Sequence, residues 1–304
     1  MENKQERYRS GFVAVLGRPN VGKSTLVNAL LGQKIAAVSP KPQTTRTRQL
    51  AILTRDDAQI IFMDTPGMHN PIHKLGRAMN RIVEQTLQEA DVILWLLDAS
   101  QPSQEEDILI ANFLKTAKLL PPLILCVNKM DLLKNDKEER IAQFVDLISH
   151  THLIKISAIQ SQGLAELLDV LINSLPEGNA FYPAEQVTDF YERQIAADLI
   201  REAALMYLQQ EVPHAIAVRV DEYTERESGA AYVAATIFVE KESQKGIVIG
   251  SAGHMLKKIG TLARQLIAEM SGRSIYLELR VKVSKNWRND PVFLNRMGYE
   301  NVEE

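Results

Sequence analysis

Short runs of uninterrupted apolar residues alternate with longer stretches of helical spacing through the first half of the chain. Residues 12–16 (FVAVL), 92–97 (VILWLL) and 123–127 (LILCV) are apolar throughout, as strands covered on both faces are. Residues 50–53 and 59–63 read as two further strands joined through Thr54-Arg55-Asp56-Asp57, a hairpin, and 153–156 as another strand. Between them, residues 25–31, 77–90, 103–117, 136–149 and 163–175 place apolar residues at helical intervals. Strands alternating with helices of this length predict βαβ units and a mainly parallel sheet. Two irregular polar stretches interrupt the rhythm, 33–49 (with SPKPQTTRTRQ) and the one that follows Asp64-Thr65-Pro66-Gly67. The prolines of the first exclude regular helix there, and a loop of that length points to function.

The second half has a different pattern. Residues 176–187 read as a linker and 189–210 as one long helix. Residues 215–220 and 231–240 alternate like half-buried strands around a charged, glycine-containing hairpin. Apolar residues 247–249 lead to Gly250-Ser251-Ala252-Gly253, followed by a helix over 254–270 and a strand over 275–283. The tail from Ser284 is polar. The change of rhythm predicts an α/β domain over 1–178 and an α+β domain over 179–304.

Composition agrees with two folded domains: 304 residues, 45% hydrophobic and 24% charged, with a net charge of −3. The one cysteine, Cys126, lies in an apolar run and reads as a buried thiol, so no disulfide framework or zinc spacing is present. The N-terminus is charged and has no apolar leader segment, and no apolar run is long enough to span a bilayer. Charge is uneven. Between residues 251 and 290, Lys257, Lys258, Arg264, Arg273, Arg280, Lys282, Lys285 and Arg288 stand against Glu269, Glu278 and Asp290. A local basic surface in a neutral protein is a nucleic-acid footprint or a solvated face.

The candidate chemistry begins at Gly17-Arg18-Pro19-Asn20-Val21-Gly22-Lys23-Ser24, followed by Thr25, which fits G-x-x-x-x-G-K-[ST] between a buried strand and a helix start. Such a loop turns backbone N–H groups and a helix N-terminus toward phosphate. Lys23 would reach the β- and γ-phosphates and the Ser24 hydroxyl would ligate Mg²⁺. Asp64-Thr65-Pro66-Gly67 ends a strand beside the phosphate strand, so Asp64 is expected to hold Mg²⁺, directly or through water, and the Gly67 N–H to touch the γ-phosphate. Asn128-Lys129-Met130-Asp131 is the discriminating motif. A carboxylate at a guanine edge accepts from N1–H and the 2-amino group together, a donor pair that adenine lacks. Ser157-Ala158 follows the next strand.

Four motifs in this order and spacing resemble the translation-factor-related GTPases. With the Gly250–Gly253 loop in a second domain, the whole chain is similar to the Era family of bacterial ribosome-assembly GTPases. The resemblance implies a Ras-like P-loop GTPase domain, a mostly parallel sheet with flanking helices, followed by a KH-type RNA-binding domain. It implies slow GTP hydrolysis with GTP and GDP as substrate and product, Mg²⁺ as cofactor, and binding of 16S ribosomal RNA near its 3′ end in 30S subunit assembly. Gln43-Thr44-Thr45-Arg46 matches the first switch region, where one threonine completes the Mg²⁺ shell; Thr45 is favoured over Thr44, neighbours that the sequence does not separate. Ser157 and Ala158 match the loop on the guanine O6 side. Where Ras-type enzymes carry the glutamine that orients water, this chain has Met68. Asn20 matches the asparagine of GTPases that use K⁺ in place of an arginine finger; the alternative is a loop residue bonding its own backbone. On this reading Lys23, Asn20, Thr45, Asp64 and Gly67 carry the catalysis.

In the second domain Gly250, Ser251, Ala252 and Gly253 match the KH clamp for about four nucleotides, with Lys257 and Lys258 placed for phosphates. A corner between helices that needs small residues is the alternative. Trp287 and Tyr299 would stack on bases or pack the tail, and His69, His73 and His254 read as solvated or RNA-adjacent. The rival function is an RNA chaperone with a structural, slowly turning over nucleotide site. A monomer in the cytoplasm is expected, with peripheral association at the inner membrane implied by the resemblance alone.

Overall fold

The computed structural model describes residues 8–39, 41, 44–117, 119–133, 137–226 and 229–299, without the side chain of Lys137. They fall into two compact units. The first takes in the chain through Gln33, Arg46–Asn70 and Met79–Asp189; the second takes in Lys34–Thr45, Pro71–Ala78 and the chain from Phe190. The division expected at 178/179 follows the chain, whereas packing assigns residues 34–45 and 71–78 to the second unit and 179–189 to the first.

Elements of the first unit run β1 (Arg9–Leu16), α1 (Lys23–Leu31), β2 (Gln49–Thr54), β3 (Ala58–Asp64), α2 (Lys74–Glu89), β4 (Val92–Asp98), α3 (Glu105–Lys115), β5 (Leu123–Asn128), α4 (Lys137–Val145), β6 (His152–Lys155) and α5 (Leu164–Ser174), α2 entering from the second unit. The strands form one sheet in the order β2-β3-β1-β4-β5-β6, parallel except for the β2–β3 hairpin. β3, β4 and β5 are buried at every position because helices cover both faces, which is why their sequences do not alternate. Cys126 is among them, and burial pushes its thiol pKa up. β1, β3, β4 and β5 end at one edge of the sheet with Leu16, Asp64, Asp98 and Asn128. The order changes direction between β1 and β4, and open α/β sheets bind ligands at that kind of edge.

Elements of the second unit run α6 (Glu192–Tyr207), α7 (Val212–Ala215), β7 (Ala217–Glu225), β8 (Ala231–Val239), α8 (Glu242–Ile249), α9 (His254–Ser271), β9 (Ile275–Val283) and α10 (Pro291–Arg296). Its sheet is β7-β8-β9, with β7 antiparallel and β9 parallel to β8. Ala231, Val233, Ala235, Ile237 and Val239 point inward against Leu199 and Ala203 of α6 and Ile259 and Ala263 of α9 in one core. The helix expected over 189–210 is shorter, α6 over Glu192–Tyr207: Leu208 turns extended with ψ 149° and Gln210 takes a left-handed φ of 54°, so the ladder stops at Tyr207 and α7 follows as a separate turn. The polar tail is packed over its described residues, 284–299. Trp287 is fully buried with its Nε1 donating to the Ala215 carbonyl at 2.8 Å, Tyr299 is buried, and Asp290 caps α10 through the N–H groups of Val292 and Phe293. Trp287 and Tyr299 therefore pack the tail, as the second of their two readings had it.

Candidate functional site

The first unit draws the separated motifs into one place. Gly17 and Gly22 take positive φ (147° and 104°), and a Cβ on either would fall 2.6 Å from the Leu96 carbonyl or 2.5 Å from Asn128 Nδ2. Glycine is required at both because the loop is pressed against β4 and the end of β5. Lys23 opens α1, and its Nζ donates to the carbonyls of Gly17 (2.9 Å) and Arg18 (3.2 Å), spanning its own loop. Burial lowers its pKa to about 8, against the opposing pull of Asp64. The Ser24 hydroxyl donates to Asp64 Oδ2 at 2.8 Å, and Thr65 Oγ1 donates to the Val15 carbonyl at 2.7 Å. A Cβ on Gly67 would meet the Pro19 nitrogen at 2.7 Å, so Asp64-Thr65-Pro66-Gly67 lies directly on the phosphate loop. Met68 is buried beside Leu16 and Val83 in an apolar cluster, where a thioether has no means to orient water.

The base-side motif is tied to the same loop. Asn128 Nδ2 donates to the Val21 carbonyl at 2.8 Å while its Oδ1 accepts from the Ala158 N–H at 3.0 Å. Lys129, in a left-handed conformation at φ 63°, donates to the Asn20 carbonyl and to Asp98 Oδ2, each at 2.7 Å. Asp131 Oδ1 accepts from the Ser157 hydroxyl at 2.6 Å. One side chain thus braces phosphate loop, base motif and the Ser157-Ala158 loop together.

Two carboxylates outside the motifs complete this frame. Asp98, at the end of β4, pairs with Lys129 and lies 3.5 Å from Arg18, and the fully buried Asp107 of α3 lies 3.3 Å from Arg18 Nε. Burial raises the Asp107 pKa against the hydrogen bond from the Gln104 N–H and the charge of Arg18. Sequence reasoning did not single out either acid. The available signal for Asp98 was a carboxylate closing an all-apolar strand, the same pattern as Asp64.

In the second unit, Gly250 (φ 72°), Ala252 (φ 48°) and Gly253 (φ 76°) make a tight left-handed corner between α8 and α9. A Cβ on Gly250 would strike Met255 at 2.7 Å, whereas one on Gly253 would meet nothing within 4 Å. Gly250 is thus needed for packing, and Gly253 leaves its backbone open to an approaching group. Gly253 borders an open groove of about 400 Å³ between α9 and β9, floored by Leu256, Leu277 and Leu279 and edged by Lys257 and Arg264. An apolar floor with a cationic rim suits bases below and phosphates above. Lys258 is exposed on the same helix but does not line the groove. Leu277 and Leu279 were missed from the sequence because their strand pattern reads as core, and Arg264 was read only as one of the basic residues between 251 and 290.

A family model described as 50S ribosome-binding GTPase matches residues 12–129, and a KH-domain model matches residues 211–288. GTPase Era of Heliobacterium modesticaldum (strain ATCC 51547 / Ice1) is 45% identical over 300 residues, which span 98% of this chain and 100% of that protein. The chain belongs to the Era family of GTPases. An Era crystal structure in complex with MgGDPNP and nucleotides 1506–1542 of 16S ribosomal RNA is 39% identical, with a TM-score of 0.90 over 96% of this chain and 99% of that one. A variant of Aquifex aeolicus Era bound to GDP·AlF₄⁻ is likewise 39% identical, with a TM-score of 0.89 and the same coverage. This chain therefore has the Era architecture, a Ras-like GTPase domain followed by a KH domain.

The first switch match is placed differently from the other motifs of this Era-family chain. Thr44 and Thr45 lie in the 34–45 segment of the second unit, and Gln43 lies outside the described residues. Thr44 Oγ1 donates to the Lys41 carbonyl at 2.9 Å, which commits that hydroxyl locally. Asn20 is exposed at φ 65°, its carbonyl taken by Lys129. His69 Nδ1 lies 3.0 Å from the Gly67 carbonyl, and no group of three or more His, Cys, Asp or Glu able to hold a metal occurs among the described residues. No described helix is long and apolar enough to cross a membrane.

Proposed function

We propose that this chain is a GTP-hydrolysing switch that binds 16S ribosomal RNA near its 3′ end and acts in assembly of the 30S subunit. Residues 1–178 supply the GTPase domain and 179–304 the KH domain. The observation that carries the reading is the bracing of phosphate loop and base motif through Asn128–Val21 and Lys129–Asn20, because a nucleotide site needs base and phosphate subsites at a fixed separation. Gly17, Arg18, Pro19, Asn20, Val21, Gly22, Lys23, Ser24 and Thr25 cradle the phosphates. Thr65, Pro66 and Gly67 sense the γ-phosphate, and Asn128, Lys129, Asp131, Ser157 and Ala158 hold guanine.

The oxygen donors Ser24 and Asp64, 2.8 Å apart, fit a hard divalent cation, and Thr45 is the favoured third group. Mg²⁺ held there neutralises charge that develops on the phosphates. K⁺ at Asn20 supplies the positive charge that an arginine finger gives in other GTPases. Gly250, Ser251, Ala252, Gly253, Lys257 and Lys258 take the RNA backbone, supported by the apolar-floored groove beside Gly253. The 16S fragment bound by the similar Era structure favours small-subunit RNA as the ligand. A monomer in the cytoplasm, with peripheral contact at the cytoplasmic face of the membrane, completes the reading.

The test pairs a phosphate-release assay with binding to an RNA matching the 3′ end of 16S ribosomal RNA and to a scrambled RNA of the same length. GTP turnover together with preference for the 3′-end RNA is expected. RNA preference without turnover would instead favour an RNA chaperone with a structural nucleotide site.

A further inference from the structure

The last residue of β4 gathers donors from both halves of the nucleotide site. β4 and β5 run parallel with Asp98 opposite Asn128, and the Ala99 N–H donates to the Asn128 carbonyl at 2.9 Å. That register sets Asp98 beside Lys129, the residue that follows β5. Asp98 is 1% exposed, and both of its carboxylate oxygens are engaged. Oδ1 accepts from the Ser100 N–H at 3.0 Å and from the Ser100 hydroxyl, an Asx turn that fixes the orientation of the carboxylate. Oδ2 accepts from Lys129 Nζ at 2.7 Å and lies 3.5 Å from the Arg18 guanidinium. Lys129 also donates to the Asn20 carbonyl at 2.7 Å. All of these residues belong to the first unit.

Both partners of Oδ2 are long, flexible side chains. A rotamer-rich side chain that is already held has lost the freedom that a ligand would otherwise have to remove. One buried carboxylate does this for a lysine of the base motif and an arginine of the phosphate loop together. Its charge acts the other way, because an anion beside the phosphate loop repels an anionic nucleotide. The two effects have opposite signs, so a change in affinity shows which one wins.

We propose that Asp98 is a positioning residue for nucleotide binding: its carboxylate holds Lys129 and Arg18 in the pose that a guanine nucleotide meets. This rests on the reading of Asn128-Lys129-Met130-Asp131 as the base motif. The link joins that motif to the start of the phosphate loop, parts that GDP and GTP both need, so both nucleotides depend on it equally. Base reading stays with Asp131, which is oriented by Ser157.

Asp98→Asn keeps the shape of the side chain. The carboxylate faces four donor groups, two from Ser100 and one each from Lys129 and Arg18, so either orientation of the amide turns its hydrogens on one pair. The experiment titrates the full-length wild type, Asp98→Asn, Lys129→Met and the double variant with GDP, GDPNP and xanthosine diphosphate. Thermal unfolding confirms that each is folded. Should Asp98→Asn not fold, Ser100→Ala, which frees one end of the carboxylate, takes its place with an expected loss of about threefold in the same direction. For Asp98→Asn, GDP and GDPNP affinity should fall together by about tenfold, the scale of immobilising one or two long side chains. Preference for GDP over xanthosine diphosphate should be retained, and Asp98→Asn should cost no more than about twofold in the Lys129→Met background.

A carboxylate that only stabilised the fold would lower the unfolding temperature and leave the affinity of the folded protein unchanged, and that result would overturn the proposal. So would a gain in affinity, a loss of guanine preference, or a tenfold loss that persists in Lys129→Met. If Lys129→Met loses nucleotide while folded Asp98→Asn does not, the positioning role falls and the base-motif reading stands. A Lys129→Met variant that binds both nucleotides as the wild type does would remove Lys129 from the site, and the positioning role with it.

Discussion

The Asp131 carboxylate accepts a 2.6 Å hydrogen bond from the Ser157 hydroxyl, so the group read as the guanine acceptor is oriented by the neighbouring loop. Asp131→Asn exchanges an acceptor for a donor. GTP affinity should fall by at least about a hundredfold and xanthosine triphosphate, with its carbonyl at C2, should be accepted, because a buried polar site rejects a ligand that leaves it unpaired. Ser157→Ala should weaken GTP binding without admitting xanthosine triphosphate. Calorimetric titration with both nucleotides checks the pair, and unchanged GTP affinity in Asp131→Asn would remove Asp131 from the base site.

Hydrolysis should be slow and cation-dependent. Met68 is buried among apolar side chains, so unassisted turnover is expected on the order of 10⁻⁴ s⁻¹. K⁺ should raise it and Na⁺ at matched ionic strength should not, and Asn20→Ala should lose the K⁺ response. Equal rates in the two salts, measured by phosphate release, would exclude a K⁺ role.

Lys23 makes nucleotide binding depend on pH. Burial brings its pKa from 10.5 down to about 8, and bound phosphates favour the ammonium. Binding above pH 8 should therefore take up a proton, and affinity should fall by up to about tenfold per pH unit as pH rises through that range. For the protein without nucleotide the sign is opposite. A lowered amine pKa means that the folded state holds fewer protons than the unfolded state between about 8 and 10.5, so this group's contribution to stability rises across that window. Titrations in buffers of different ionisation enthalpy measure the proton uptake. Lys23→Met should abolish it.

Gly253→Asp places a carboxylate at a left-handed position with open space outside it, so the variant should fold while repelling RNA from the groove. Loss of binding to the 3′-end RNA is expected, with basal GTP turnover within about twofold of wild type, as for independent sites. Lys257→Ala with Arg264→Ala, both at the groove edge, should weaken binding across RNA sequences and flatten its salt dependence. Normal RNA binding by folded Gly253→Asp would reduce the loop to a corner between helices.

The nucleotide site of the first unit was legible in the chain because its motifs begin at or just after strand ends. A parallel sheet covered on both faces brings such strand ends to one edge, so Lys23, Asp64, Asn128 and their neighbours converge once the strands are recognised. Guanine chemistry followed from Asp131 because hydrogen-bond complementarity is a property of residue type. Partnerships between residues far apart in sequence were not legible. Asp98 and Asp107 are ordinary acids until the fold sets Arg18 beside them. Trp287 is an aromatic in a polar tail until Ala215 offers it a carbonyl. Glu202 reads as one charge on an amphipathic helix, and only tertiary packing buries it against Lys34 and Val38, more than 160 residues away. Local pattern determines elements and strand-end chemistry through backbone geometry. The pairing of buried charges depends on which surfaces meet, and no local pattern encodes that.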